Sequence, residues 1–141
     1  MTSHPSLSDV PELTALERVG PRGYLRYVFP MRLDDGYDLD HVSEVLKNGY
    51  KAACQRIGVM SSEAVPDPDA KQANCLKLQR LPDNQIGDMT VKDLRKAETY
   101  PWTYEELKAK HFPISAFDAD SLLPGPIWPQ PGKPLHISQV Q

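Results

Sequence analysis

The sequence predicts an α/β fold, a small mixed sheet with one long helix packed across it. Three observations predict it. Apolar residues alternate from Leu25 to Leu33, a helical stripe runs from Leu39 to Ile57, and two short strand-like runs follow a proline-rich loop. The length of 141 residues, 40% hydrophobic and 25% charged, suits one soluble domain.

Residues 1–12 are polar and read as a flexible arm. Leu13–Arg18 and then Gly20-Pro21-Arg22-Gly23 turn the chain into its first strand, in which Leu25, Tyr27, Phe29, Met31 and Leu33 form the buried face. Pro30 donates no hydrogen bond and puts this strand at an edge or a bulge. Asp34-Asp35-Gly36 turns the chain again. The helix that follows has Asp38 or Asp40 as its cap and Leu39, Val42, Leu46, Tyr50, Ala53 and Ile57 on one side. Gly58 stands where a left-handed residue ends many helices.

Ser61 to Asn74, with Pro66 and Pro68, reads as loop. Strands are expected over Cys75–Leu81 and around Ile86–Val91, joined as a hairpin through Pro82-Asp83-Asn84. Thr103-Tyr104-Glu105-Glu106 has the capping-box form, opening a short helix to about His111 that Pro113 ends. Six of the 14 prolines fall between Pro113 and Pro134, so an extended path is expected there. A last strand, Leu135 to Val140, reaches the chain end with no turn signal and leaves one edge as a template for another chain.

Charge and composition exclude several functions. The net charge is −3 and the 16 Lys and Arg are scattered, which leaves no broad cationic surface for nucleic acid. No apolar run approaches the roughly 18 residues of a membrane span, and no signal-type segment opens the chain. A soluble protein of the cytoplasm is the expectation. Cys54 and Cys75 lack metal-ligand spacing and are expected to be free, partly buried thiols. No metal is expected. Asp34, Asp35, Asp67, Asp118 and Asp120 read as turn and cap residues, because Asp bonds nearby backbone. Tyr100, Trp102, Tyr104 and Trp128 are expected to pack against the sheet and not to line a pocket.

Leu13-Thr14-Ala15-Leu16-Glu17-Arg18 and Pro21 to Phe29 resemble the opening motif and first strand of BAHD-type acyltransferases. Val91 to Arg95, Tyr100 to Leu107 and Phe112 to Asp120 resemble the fungal trichothecene-acetyltransferase-like branch of that family. The order is kept from residue 13 to the end, so residues 13–141 read as a partial amino-terminal domain of the two-domain CoA-dependent acyltransferase fold.

The resemblance implies transfer of an acyl group from coenzyme A to a hydroxyl or amine of a secondary metabolite. Acyl-CoA would be a co-substrate; no covalently bound cofactor is implied. In the family a His-x-x-x-Asp motif supplies the general base that takes the acceptor's proton. No histidine here matches it, since His4, His41, His111 and His136 are followed four residues on by Ser8, Val45, Ser115 and Val140. The Asp-Phe-Gly-Trp-Gly signature is absent too, and the helix runs into Gly58-Val59-Met60-Ser61-Ser62 where the family has Leu-Ala-Gly-Arg. Glu17 replaces an Asp of the opening motif.

His136, on the last predicted strand, is the one candidate base, and the missing motif argues against it. His41 and His111 read as surface residues. The chain is therefore expected not to be competent alone, and to need a complementary acyltransferase segment or a homo-oligomer. Two alternatives remain: a non-catalytic pseudoenzyme or interaction module, and a small recruited enzyme, such as a cyclase, that orders a small-molecule substrate by proximity.

Overall fold

The computed structural model describes residues 9–19, 23, 25–96, 98, 100–123, 128 and 135–136. Helix α1 spans Ala15–Val19. Thr14 and Glu17 cap it reciprocally: the Thr14 N–H and hydroxyl donate to Glu17 Oε2 at 2.8 and 2.7 Å, and the Glu17 N–H donates back to Thr14 Oγ1 at 3.3 Å. Helix α2 spans Leu39–Arg56. Its N-cap is Asp38, not Asp40: Asp38 Oδ1 accepts from the N–H groups of Asp40 and His41 at 2.9 and 3.3 Å.

The helix ends differently from expectation. Ile57 is its extended C-cap, and Gly58 opens a 3-10 turn, Gly58–Ser61, without a left-handed backbone. The Gly58 carbonyl accepts the hydroxyls of both Ser61 and Ser62 at 2.9 and 2.7 Å, which lets two wholly buried serines enter the next strand satisfied.

That strand, β1, spans Ser62–Pro66 and corrects the loop expected from residue 61 to 74. It pairs antiparallel with β2, Leu76–Arg80, in the register Ser62 to Arg80 and Pro66 to Leu76. Pro66 is the last ladder residue, where a missing donor costs least. Asn74, left-handed at φ 65°, and the bond from the Asp67 N–H to the Cys75 carbonyl (2.9 Å) close the connecting loop.

β2 thus takes an earlier partner than expected. Residues 83–87 form turns, and only an isolated bridge at Met89 remains of the strand expected over Ile86–Val91. The third strand, β3, is Leu135–His136; it pairs antiparallel with β1, giving the order β2-β1-β3. Every pairing described is antiparallel, so the sheet is not mixed. Residues 137–140 of the expected last strand, and residues 1–8 of the expected arm, lie outside the described residues.

The long helix packs where the sheet meets its flanking turns. α2 meets the 3-10 turn after it, and its buried Cys54 packs with Leu81 and Ile86, with Tyr50 and Met60 beside them. The apolar stripe expected to be covered is only partly so, for Leu46 and Ile57 remain exposed. Cys54 and Cys75 are both free and buried.

Asp67 ties α1 to the hairpin. Its Oδ2 accepts from Arg18 Nη1 at 3.2 Å, and Lys77 Nζ lies 3.8 Å from Oδ1. The Asp67 side chain is nearly buried, so these charges are shielded better than a surface pair. Asp67→Ala is expected to cost about 1–2 kcal/mol and to speed amide exchange in α1. Unchanged exchange would show that the pair does not hold α1.

Candidate functional site

The segment from Leu25 to Leu33 alternates in sequence, yet it forms no described strand and both of its sides are largely exposed, Arg26 being the half-buried exception. Leu25, Tyr27, Phe29, Met31 and Leu33, the expected buried face, are 40% to 82% exposed, with the Tyr27 and Phe29 rings stacked at 6.2 Å. The even-numbered side, Arg26, Val28 and Pro30, instead faces a cavity. Two ion pairs bind the segment to the later chain: Arg26 Nη1 to Asp120 Oδ1 at 3.4 Å and Arg32 Nε to Glu105 Oε1 at 3.8 Å.

The opposite wall is built from residues 104–123. Helix α3, Tyr104–Ala109, begins with the expected capping box: the Thr103 N–H and hydroxyl donate to Glu106 Oε2 at 2.8 and 2.9 Å, and the Glu106 N–H donates to Thr103 Oγ1 at 3.3 Å. It ends in a Schellman turn, with the Phe112 N–H on the Leu107 carbonyl at 2.7 Å and the His111 N–H on the Lys108 carbonyl at 3.0 Å. His111 and Phe112 both take positive φ, 54° and 52°, a conformation that non-glycine residues enter at a cost. This turn sets the Phe112 ring edge-on to Tyr104, with centroids 5.7 Å apart.

A 3-10 turn, Ile114–Ala116, and helix α4, Ala119–Leu122, complete the wall. The Tyr100 hydroxyl donates to the Ala116 carbonyl at 3.1 Å and anchors the turn, and burial raises its pKa. The space is an open groove of about 580 Å³, within the range of small-molecule sites. Its apolar lining is Val28, Pro30, Phe112, Ile114, Phe117 and Leu123; Arg26 and Tyr104 supply polar groups.

The Glu106 pKa is lowered, first by the Thr103 backbone bond and then by the hydroxyl. A lowered folded pKa means that the cap contributes fully above the ordinary value of 4.5 and is lost as pH falls through the folded value. Thr103→Ala is expected to cost about 1 kcal/mol, to speed exchange of the Glu106 amide, and to flatten the acid dependence of α3 below pH 4.5. An unaltered acid profile would refute the cap's role. Asp93 is held down to about 2 by its hydrogen bonds from Arg95, a local surface pair away from the cavity lining.

The residues singled out from sequence do not converge. His136 has its backbone in β3, opposite Glu63; His41 is exposed on the first turn of α2; His111 is exposed in the turn after α3; His4 lies outside the described residues. Asp67 sits in its ion-pair network, and Asp118 Oδ1 accepts the Asp120 N–H at 3.4 Å. Among the described residues no three His, Cys, Asp or Glu side chains come together as a metal site. Of the four aromatics expected to pack on the sheet, Tyr104 lines the cavity, Trp102 lies under Lys110 Nζ at 4.4 Å, and Trp128 is exposed. Arg26 and Val28 went unrecognised as site residues. The alternation from Leu25 to Leu33 marks them, but by itself it places the polar side outward.

The chain matches no protein-family model and no solved structure. It is similar to two curated fungal proteins. Acyltransferase cm3D of Cordyceps militaris is 29% identical over 120 residues, which are 81% of this chain and 24% of that protein. Acyltransferase easC of Emericella nidulans is 30% identical over 140 residues, 98% of this chain and 29% of that protein. The chain is thus related to fungal acyltransferases and spans less than a third of their length.

Proposed function

We propose that this chain is the amino-terminal part of a BAHD-type, CoA-dependent acyltransferase of fungal secondary metabolism, and that acyl transfer requires further polypeptide. The observation that carries the reading is the similarity to acyltransferase easC along 98% of the chain but only 29% of the relative. The chemistry agrees with it. Thioester attack by a hydroxyl needs a base within reach of the acceptor proton, and none of the four histidines stands in a His-x-x-x-Asp motif. The apolar row of Leu25, Tyr27, Phe29 and Met31, exposed on this chain, is the kind of surface that a completing segment covers.

The test supplies acetyl-CoA to the purified chain, alone and with the remainder of the easC protein as a separate polypeptide, and follows release of the free CoA thiol with a candidate alcohol acceptor. The chain alone is expected to release no more than buffer does, and the mixture is expected to associate and transfer. Acceptor-dependent release by the chain alone would overturn the requirement for further polypeptide. A chain that stays monodisperse and ignores the remainder would leave only ancestry in common with the acyltransferases.

A further inference from the structure

We propose that residues 25–33 are one strand of a sheet that an extended segment of the acyltransferase polypeptide outside this chain completes, added along the edge that carries the backbone groups of Leu25, Tyr27, Phe29, Met31 and Leu33. This rests on the reading of the chain as part of an acyltransferase and adds the way in which the parts join.

The segment has the shape of a strand without a strand's partner. Residues 25–34 run with no turn, bend or helix, and Arg26, Val28 and Pro30 line the groove on one side. Yet no backbone group of residues 25–33 bonds to another backbone group among the described residues. Such an edge is a template for strand addition, and proteins that keep one free blunt it with charged side chains. The odd-numbered row has none, for Leu25, Tyr27, Phe29, Met31 and Leu33 are all apolar and exposed. Both cations of the segment, Arg26 and Arg32, stand at even-numbered positions and pair with Asp120 and Glu105.

Pro30 selects the edge. In an extended strand the N–H and C=O of one residue point to the same edge, and successive residues alternate between the two edges. Pro30 therefore takes a donor from the even-numbered edge, while the odd-numbered edge keeps all of its donors. A partner strand gains its full ladder only on the odd-numbered edge.

The partner comes from elsewhere in the acyltransferase because the length is there: the chain aligns with acyltransferase easC along 98% of itself and covers 29% of that protein. A second copy of this chain fits less well. The antiparallel self-pairing of greatest overlap centres on Phe29 and sets Arg26 opposite Arg32 at both ends, like charge against like.

The experiment joins the chain to the remainder of the easC protein in one polypeptide and reads hydrogen exchange residue by residue, there and in the chain alone. The amides of Tyr27, Phe29 and Met31 are expected to slow by about a hundredfold in the joined protein, and those of Val28 and Arg32 by less than about tenfold. Tyr27→Pro, which removes a donor from the paired edge, is expected to lose the added protection at Phe29 that Tyr27→Ala keeps. Equal slowing of odd and even amides, or no slowing, would overturn the proposal. Odd-edge protection already present in the chain alone at high concentration would also overturn it, by assigning the edge to a second copy. Should Tyr27→Pro fail to fold, the odd-even pattern decides alone. Acyl transfer by the joined protein is read separately: transfer with unprotected odd amides sinks the strand and spares the acyltransferase reading, and protection without transfer does the reverse.

Discussion

Gly87→Ala is expected to destabilise the protein by about 2–4 kcal/mol, and Gly36→Ala by about 1 kcal/mol. Both glycines have positive φ, +72° and +81°, so both variants bear the strain of an alanine in left-handed space. They differ in what surrounds them. A Cβ at Gly36 meets nothing within 4 Å, whereas one at Gly87 falls 2.5 Å from the Cα of Lys51 and 2.9 Å from its Cβ. Those atoms belong to α2 and do not swing away as a side-chain tip does. The helix has to shift, and the contact it loses is the small core of Cys54, Leu81 and Ile86. Urea melts of the two variants separate strain from collision. Equal losses would mean that the turn at Gly87 yields and that α2 is not seated against it.

Leu81→Ala is expected to cost about 2–4 kcal/mol. Leu81 is 6% exposed and joins the end of β2 to Cys54 on α2, with Ile86, Tyr50 and Met60 around it. Its N–H on the Ser61 carbonyl, at 2.8 Å, survives the substitution, so the loss reports packing and not a broken backbone bond. Removing three carbons' worth of contact at this junction leaves a cavity that few neighbours can fill. Among the described residues the buried apolar ones are few, and a loss of this size is a large share of the ~5–15 kcal/mol that holds an ordinary domain. Amides of α2 are expected to exchange faster while β1–β2 amides change less. A cost under about 1 kcal/mol with α2 protection intact would show that the helix is held elsewhere.

The helices Leu39–Arg56 and Tyr104–Ala109 were legible in the chain, because caps and helical periodicity are local, whereas the short helices Ala15–Val19 and Ala119–Leu122 were not expected. Asp38, Thr103 and Glu106 act within three residues of themselves, and the structure has them at the helix starts that the sequence predicts. The same Ser/Thr-x-x-Glu signal stands at Thr14 and Glu17, before a helix of only five residues. The second strand of the hairpin, Leu76–Arg80, was legible for the same reason, as a short run bounded by turn residues.

Strand pairing and burial were not legible, since each depends on what arrives from far along the chain. Ser62–Pro66 looks like loop because Ser61 precedes it and it ends in the first of two closely spaced prolines, Pro66 and Pro68. It becomes a central strand only when the Gly58 carbonyl satisfies both hydroxyls and Leu76–Arg80 supplies the ladder. The alternation from Leu25 to Leu33 states that two faces differ but not which is inside. Arg26 and Arg32 pair with Asp120 and Glu105, up to 94 residues away, while Arg26, Val28 and Pro30 line the cavity and the apolar row stays outside. The sequence by itself determined the local elements, through contacts closed within a few residues. The tertiary structure alone decided the sheet order, the face that α2 buries and the cavity, because each requires a distant partner whose position no local pattern encodes.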